Sequence, residues 1–310
     1  MFGEYSMQLG FWWVLFAASL SAGLALHDDD DGNGSSSDPD PDDDPFAGME
    51  DYDPDAYDAL WVGGEGDDSM NASDDTSHAM AGQGGDDFLD GSHQRDYILG
   101  GEGDDTIWSR LHNDIVHAGA GNDYVNAGWQ NDLVTGGSGN DTINGLYGDD
   151  ILAGDEGNDL LIGHHGADQL YGGDGNDTLS GLGEDHAAAR NATEAEEDKA
   201  DILDGGAGDD ELWLASSDSG TGGEGADSFT IDYRFDHQDG IATIGDYNAG
   251  EDNIALLLNP PAEGEEMPDV TQEDSANGED RLILVDGVEA IRITGAGGGA
   301  VDVTIRTEAP

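Results

Sequence analysis

Aspartate recurs every nine residues through the middle of this chain. From Gly82 to Ser180 the sequence reads as eleven unbroken nonapeptides, and the sixth residue of each is Asp. These residues are Asp87, Asp96, Asp105, Asp114, Asp123, Asp132, Asp141, Asp150, Asp159, Asp168 and Asp177. A single Asp in a turn usually only helps to form that turn. A series in strict register instead gathers carboxylates at one repeated place, and such a series needs cations to hold it together.

The other positions of the repeat indicate how the carboxylates are carried. The eighth residue is aliphatic in every copy, and the clearest copies are GGSGNDTIN at Gly136 and GGDGNDTLS at Gly172. In an extended strand the eighth side chain points inward to a thin core, while its neighbours at positions seven and nine point outward. The glycines permit positive φ, which turns peptide carbonyls toward one spot. A strand of three residues is unstable alone, so the coils must stack.

The spacing of stacked strands selects the cation. Neighbouring strands lie about 4.7–4.9 Å apart, which is about twice a calcium–oxygen distance of 2.3–2.6 Å. One Ca²⁺ therefore fits between successive turns, held by carbonyls and Asp carboxylates. Mg²⁺ prefers shorter bonds and keeps its waters, and oxygen ligands do not favour zinc or copper. The chain has no cysteine, which excludes disulfides and thiolate sites.

These nonapeptides resemble the repeats-in-toxin (RTX), or haemolysin-type, calcium-binding repeat G-G-x-G-x-D-x-U-x. The resemblance covers more than half of the chain. It implies an all-β fold, a calcium-stabilised parallel β-roll (a β-solenoid) that binds several Ca²⁺ ions. In such a roll six residues make a turn, three make a short strand, and two nonapeptides complete one coil.

Alternate nonapeptides fall on opposite edges of a roll, so the two edges can be compared. On the first edge every turn has Gly at position four, whereas the second edge has Gln94, His112 and Gln130 there and regains Gly only at Gly148 and Gly166. A side chain at position four is expected to spoil the tight turn, so we predict a nearly complete series of sites on the first edge and a partial series on the second. The predicted first-edge ligands are Asp68, Asp87, Asp105, Asp123, Asp141, Asp159, Asp177, Asp210 and Asp227, with Gly66, Gly85, Gly103, Gly121, Gly139, Gly157, Gly175, Gly208 and Gly225. The predicted second-edge ligands are Asp150 and Asp168.

The chain divides into four parts. Residues 1–26 contain an apolar stretch, 9–26, that is long enough to cross a bilayer and is either a membrane anchor or an export signal. Residues 27–62 form an acidic linker that is expected to be disordered, because it has few apolar residues to bury. The roll is assigned to 63–230, with an Ala/Glu-rich insert at 184–199. Residues 231–310 contain runs that alternate in strand fashion and predict a small β cap.

The composition limits the function. There are 71 acidic residues against 8 Lys and Arg, a formal net charge of −63, which excludes electrostatic binding to nucleic acid or to an anionic membrane. The sequence contains no HExxH, G-x-S-x-G or P-loop motif, and no catalytic residue is assigned. We therefore expect a calcium-binding structural or interaction protein that is extracellular, secreted or attached to the cell surface. The alternatives are the accessory roll of a secreted enzyme acting on polysaccharide, protein or lipid, and an acidic protein adapted to high salt. The sequence does not identify a protein or glycan partner.

Overall fold

The computed structural model describes residues 56–72, 75–182, 199–234, 240–261, 264–299 and 301–307. Across these ranges the regular structure is β-strand without α-helix, as the sequence predicts. In the described ranges there is accordingly no helix with the length and apolar character to cross a bilayer. The apolar stretch 9–26, the linker up to residue 55 and the insert up to residue 198 lie outside the described residues.

The described chain contains a regular succession of short strands. In chain order they are β1 (Ala59–Val62), β2 (Ser69–Asn71), β3 (His78–Gly84), β4 (Phe88–Asp90), β5 (Tyr97–Glu102), β6 (Thr106–Trp108), β7 (Ile115–Ala120), β8 (Tyr124–Trp129), β9 (Leu133–Ser138), β10 (Thr142–Tyr147), β11 (Ile151–Glu156), β12 (Leu160–His165), β13 (Gln169–Asp174), β14 (Thr178–Leu182), β15 (Ile202–Ala207), β16 (Glu211–Leu214), β17 (Ser219–Glu224), β18 (Ser228–Asp232), β19 (Ala242–Ile244), β20 (Asn253–Leu258), β21 (Val270–Asp274), β22 (Arg281–Val285), β23 (Val288–Ile293) and β24 (Val303–Thr307).

The strands form two sheets, and the chain alternates between them. The thirteen-stranded sheet has the order β1-β3-β5-β7-β9-β11-β13-β15-β17-β19-β23-β22-β21. The eleven-stranded sheet has the order β2-β4-β6-β8-β10-β12-β14-β16-β18-β20-β24. Within the repeats, neighbours pair in parallel with partners one coil apart, as Thr142 pairs with Tyr124 and Leu160. Two nonapeptides therefore make one coil, and the predicted parallel β-roll is confirmed.

Strands are longer than the resemblance implies. Each of β7 to β13 spans six residues, from position seven of one repeat to position three of the next. Main-chain pairing continues through those positions, as between Asp155 and Gly173 and between Glu156 and Asp174. The expected three-residue strand is wrong for these coils because the neighbouring coil supplies hydrogen bonds to positions two and three as well. The turn itself is confined to positions four to six.

The core of the roll is one aliphatic side chain per nonapeptide. All eleven residues at position eight are fully buried: Leu89, Ile98, Ile107, Val116, Val125, Val134, Ile143, Leu152, Leu161, Leu170 and Leu179. They belong to one continuous hydrophobic cluster between the two sheets. Because each nonapeptide supplies one of them, the core is long but only two rows wide. Full burial of each such side chain contributes about 1.5–3 kcal/mol.

Parallel strand pairing extends beyond both boundaries of the predicted roll. Strand β1 lies inside the segment 27–62 that the sequence assigns to the linker, yet it pairs in parallel with β3, because Trp61 packs against the core. At the other end the parallel sheets run past residue 230, since β18 pairs with β20 and β20 with β24. Buried Ile254 and Leu256 continue the same core. Among the described strands of the predicted cap, β21–β22 and β22–β23 are the antiparallel pairs.

Truncation of a position-eight side chain is expected to destabilise the protein. Replacing the fully buried Leu161 by Ala should lower the free energy of unfolding by about 2–5 kcal/mol. Leu160→Ala is the matched control, because Leu160 is the outward neighbour and is only partly buried. Denaturant unfolding in millimolar calcium measures both variants. Equal losses for the two variants would contradict the assignment of position eight to the core.

Candidate metal-binding turns

The position-six aspartates form a hydrogen-bonded ladder along each edge. The Oδ1 atom of each Asp accepts a hydrogen bond from the backbone N–H of the Asp one coil earlier, as from Asp123 to Asp141 and from Asp141 to Asp159, both at 2.8 Å. On the first edge the ladder joins Asp68, Asp87, Asp105, Asp123, Asp141, Asp159, Asp177, Asp210, Asp227 and Asp252. On the second edge it joins Asp96, Asp114, Asp132, Asp150, Asp168, Asp201 and Asp218. Each carboxylate therefore holds the backbone of the preceding coil.

The second carboxylate oxygen, Oδ2, is left over in the interior of both ladders. It is buried and has no hydrogen-bond partner among the described residues in Asp87, Asp105, Asp114, Asp123, Asp132, Asp141, Asp150, Asp159, Asp168, Asp177 and Asp210. An unsatisfied buried polar group costs about 1–3 kcal/mol, and native proteins rarely leave such groups without an ion or a water. A repeated series of these oxygens fits a row of cations.

The end members of the ladders differ from the interior ones. At the start, Oδ2 of Asp68 accepts a hydrogen bond from Gly64 N at 2.7 Å, and Oδ2 of Asp96 accepts one from Ser92 N at 2.6 Å. At the far end, Oδ2 of Asp218 and Oδ2 of Asp252 are satisfied in the same way, by the N–H groups of Ala215 and Asn248 at 2.6 Å. The protein thus closes the ends itself and leaves the interior oxygens open.

A second oxygen meets each open carboxylate at position one of the repeat. A Cβ added to Gly145 would lie 2.5 Å from Asp150 Oδ2 and 3.0 Å from the carbonyl oxygen of Gly163 in the next coil. The same two kinds of oxygen flank Gly136, Gly154, Gly172 and Gly205. A carboxylate and a carbonyl therefore converge on space that only glycine leaves open, and oxygen ligands of this kind suit Ca²⁺. Ser109, Ala118 and Ala127 are exceptions and carry a side chain at this position.

The donor set is one of isolated carboxylates and carbonyls. In the described part of the chain, no three His, Cys, Asp or Glu side chains gather in a group that could hold a metal ion. Each turn brings a single position-six carboxylate from each coil, so the remaining ligands of a cation must be backbone carbonyls. Ca²⁺ accepts such mixed oxygen ligands, whereas zinc and copper prefer nitrogen or sulfur.

Position four explains why the turns use glycine. Gly157 has φ +147°, and a Cβ there would collide with the carbonyl oxygen of Gly139 in the coil before. Of the predicted position-four glycines, Gly85, Gly103, Gly121, Gly139, Gly157, Gly175, Gly208 and Gly225 all have positive φ. Gly66, in the first turn, is not among the positive-φ residues and has no atom near its Cβ direction.

The second edge has a more regular geometry than the expected partial series of sites requires. His112 and Gln130 take positive φ, 78° and 76°, with exposed side chains. A left-handed residue of this kind costs about 1–2 kcal/mol, which the stacked coil tolerates. Asp114 and Asp132 consequently have the same ladder bonds and open oxygens as their first-edge counterparts. These two candidates were discounted in the sequence only because of their neighbours at position four.

One second-edge turn does differ. The turn that contains Gln94 is organised by Ser92, whose hydroxyl donates to Asp96 Oδ1 at 3.1 Å while its backbone N–H occupies Asp96 Oδ2. Both oxygens of Asp96 are therefore already hydrogen-bonded by the protein. Asp96, which is not among the predicted ligands, therefore has no open oxygen to offer a cation.

The sequence pattern missed two ladder members, Asp218 and Asp252. Asp218 lies 17 residues after Asp201 rather than 18, because one repeat is a residue short, and glycine replaces the aliphatic residue at Gly220. Asp252 follows Asp227 by 25 residues, after a long connection. The remaining signal is the tripeptide Asp252-Asn253-Ile254, which keeps the Asp and the aliphatic residue at their usual separation.

Burial makes these carboxyl groups hard to ionise without a cation. On the second edge burial raises the pKa of Asp132 to about 10, of Asp114 to about 9 and of Asp150 to about 8. On the first edge burial raises the pKa of Asp123 to about 7 and of Asp141 to about 6. A bound cation would take the place of the proton.

Comparison with known protein families agrees with this geometry. The family model of the RTX calcium-binding nonapeptide repeat matches four copies, at residues 80–107, 110–143, 144–179 and 197–218. The matched segments are therefore RTX-type repeats, and through these repeats the chain binds several Ca²⁺ ions.

Similarity to individual proteins is weak. No curated protein matches the chain. Among solved structures, the extracellular lipase LipA from Serratia marcescens is 16% identical over 76% of this chain, with a TM-score of 0.19. The chain spans 43% of that lipase. A superposition of this quality supports no conclusion about function.

The two edges can be compared by substitution. Asp114→Asn, Asp141→Asn and Asp96→Asn each preserve an oxygen acceptor and remove the charge. Asp114→Asn and Asp141→Asn should each lose about one to two bound ions, because a carboxylate serves neighbouring turns, and should raise the calcium midpoint of folding. Asp96→Asn should leave the number of ions unchanged. Equilibrium dialysis counts the ions, and an unchanged count for Asp114→Asn would contradict the second ladder.

The raised pKa values predict how the chelated protein depends on pH. Between the unfolded aspartate pKa of about 4 and the raised folded values, the folded roll binds more protons than the unfolded chain. Its stability is therefore fully present below about pH 4 and is lost as the pH rises through the folded pKa values. In EDTA, circular dichroism should show more β structure at pH 5.5 than at pH 8. Calcium affinity should change the opposite way, since protons compete with the ion.

Proposed function

We propose that this protein is a non-enzymatic, calcium-binding structural or interaction protein that works outside the cell, either secreted or attached to the cell surface. Its roll folds when it meets extracellular Ca²⁺. The observation that carries the proposal is the series of buried Oδ2 atoms without hydrogen-bond partners in the described chain. The open oxygens lie beside carbonyls in the turns, which is the chemistry of a calcium ligand.

The proposed ligands are the interior members of both ladders together with carbonyls of the turns. The strongest of them are those with a buried, open Oδ2, namely the first-edge aspartates from Asp87 to Asp210 and the second-edge aspartates Asp114, Asp132, Asp150 and Asp168. The predicted ligand Asp227 continues the first-edge ladder and stays in the proposed set. Asp68 is the weakest of the sequence candidates, because Gly64 already satisfies its second oxygen. The position-four glycines contribute through their backbone, since their positive φ allows the coils to stack closely.

Electrostatics links calcium to folding. Carboxylates about 5 Å apart repel each other by about 0.8 kcal/mol per pair in water and about 3 kcal/mol at an effective dielectric constant of 20. Summed along two ladders, this repulsion is comparable with the 5–15 kcal/mol that stabilise an ordinary domain. An ion that binds only the folded state shifts the balance toward folding.

The calcium range favours an extracellular setting. Calcium modules of extracellular proteins have dissociation constants of about 10⁻⁴–10⁻³ M. A roll with sites of that strength stays unfolded at the low calcium concentration of the cytosol and folds where calcium is plentiful. This argument supports function outside the cell, and the net charge of −63 favours solubility there.

The test is folding as a function of calcium. The far-UV circular dichroism spectrum should change from that of a largely unfolded chain in EDTA to that of β structure in millimolar CaCl₂. MgCl₂ at the same concentration should fail, because Mg²⁺ keeps its waters. NaCl at high concentration is the control for simple charge screening, and folding by NaCl alone would favour the salt-adapted alternative. A spectrum that is the same in EDTA and calcium would contradict the proposal.

Activity assays on the calcium-loaded protein test the non-enzymatic part. The substrates are casein, a lipid ester and alginate, one for each class of the enzyme alternative. Robust turnover of any of them would replace the proposal with an accessory roll of a secreted enzyme.

A further inference from the structure

Two large indoles are exposed on the outer face of the eleven-stranded sheet. Trp108, at the end of β6, is 41% exposed, and Trp129, at the end of β8, is 45% exposed. The more regular repeats place small polar residues at outward positions, such as Asn144 and Ser180 at position nine. Exposed aromatic residues that replace small polar ones at neighbouring places on one face usually mark a contact surface.

A cleft of about 340 Å³ lies between these two indoles. Its lining includes His93, Trp108, Arg110, Leu111, Asn126 and Trp129, and we call it the indole cleft. Its size falls within the range of about 300–1,000 Å³ that small-molecule sites occupy. Asn126 pairs with Trp108 across neighbouring strands, and among described residues its side-chain amide makes no hydrogen bond. The cleft therefore combines flat apolar walls with an available donor and acceptor.

The walls of the indole cleft are held in place. The Trp129 ring stacks on Tyr147, with centroids 4.2 Å apart and planes 21° apart, and Tyr147 stacks in turn on His165 at 4.8 Å. The Trp108 ring meets Phe88 edge-on at 5.5 Å. Since Trp129 is covered on one side by this stack and still lines the cleft, its remaining surface is presented to a ligand. Rings fixed in advance lose little entropy on binding.

Arg110 gives the cleft a neutral ion pair. Its guanidinium lies 5.8 Å from the centre of the Trp108 ring, and its Nη2 atom donates to Asp90 Oδ2 at 2.5 Å. Asn71 donates to the same oxygen at 2.6 Å. The pair adds polar groups at the wall without net charge. It also places a cation over Trp108, which disfavours a second cation such as a quaternary ammonium group at that ring.

The charge of the protein further limits the classes of ligand that could bind in the indole cleft. The net charge of −63 repels nucleic acids and anionic glycans. A ligand that combines flat C–H faces with hydroxyl groups and carries no charge is a neutral sugar. Its C–H bonds fit the negative face of an indole, and its hydroxyls can bond to an amide or to a charged pair.

We propose that the indole cleft binds a neutral polysaccharide, with Trp108 and Trp129 as stacking platforms and Asn126 as a hydrogen-bonding group. This deepens the proposed function, because it gives the interaction module a class of partner, and it requires the calcium-folded roll. A non-enzymatic roll with such a cleft attaches to a carbohydrate surface.

The experiment uses the full chain in millimolar calcium with cellulose, chitin, laminarin and dextran as neutral probes and alginate as the anionic probe. Affinity electrophoresis and pull-down measure binding. We expect at least one neutral polymer to be bound and alginate not to be bound. Trp108→Ala and Trp129→Ala should each weaken binding about tenfold, and the double variant should abolish it.

Trp213→Ala is the matched control. Trp213 lies at position nine of β16 on the same sheet, five coils from Trp108, and its indole N–H bonds to Glu211. This variant should bind the polysaccharide as the parent does. Circular dichroism in calcium, run on every variant, separates the two proposals. A parent that folds with calcium yet binds no neutral polymer overturns the cleft proposal alone, as does binding that survives the double variant or binding of alginate only. A parent that does not respond to calcium overturns the proposed function.

Discussion

Each coil of this protein rests on a carboxylate that does two things at once. Oδ1 of the position-six Asp accepts a backbone hydrogen bond from the coil before, which sets the distance between coils. In the interior coils Oδ2 has no hydrogen-bond donor within the described chain, and it lies near a carbonyl oxygen of the next coil beside position one. Glycine at position one follows from the room these oxygens need, and the demand for a cation follows from the charge that they bring into a buried turn.

The need for a cation in the turns matters for stability because the hydrophobic core is thin. One aliphatic residue per nonapeptide is buried at position eight, so the two sheets meet across only two rows of side chains. A globular domain of similar length would bury a larger share of its surface. Ion binding supplies cohesion that a wider core would otherwise provide. In the terminal coils the protein itself satisfies this oxygen, since Oδ2 of Asp68, Asp96, Asp218 and Asp252 accepts a hydrogen bond from a nearby N–H group.

The sequence predicts the features that depend on residues within one repeat. It fails for the features that depend on contacts with the neighbouring coil. The inward aliphatic residue, the Asp at position six and the choice of calcium all come from local spacing, and the fold and the cofactor are as expected. Strand length was underestimated because hydrogen bonds at positions two and three come from the next coil. The first-edge geometry at Asp114 and Asp132 was not expected, because residue type alone does not reveal that a stacked turn can hold His112 and Gln130 at positive φ. Asp218 and Asp252 escaped because a shortened repeat and a long connection break the nine-residue count.

The hydrogen bonds of the ladder all point the same way. The N–H of Asp123 is received by Asp141, and the N–H of Asp141 by Asp159, so each position-six N–H is bonded by the coil that follows it in the chain. The N–H at position five is bonded in the opposite direction, as that of Asn140 is by Asn122 in the coil before. The roll is consequently polar, like a filament with two unlike ends. In a chain that emerges amino end first, the position-six N–H of the newest coil therefore lacks its ladder acceptor until the next coil follows. Asp252 is the last acceptor of the first-edge ladder.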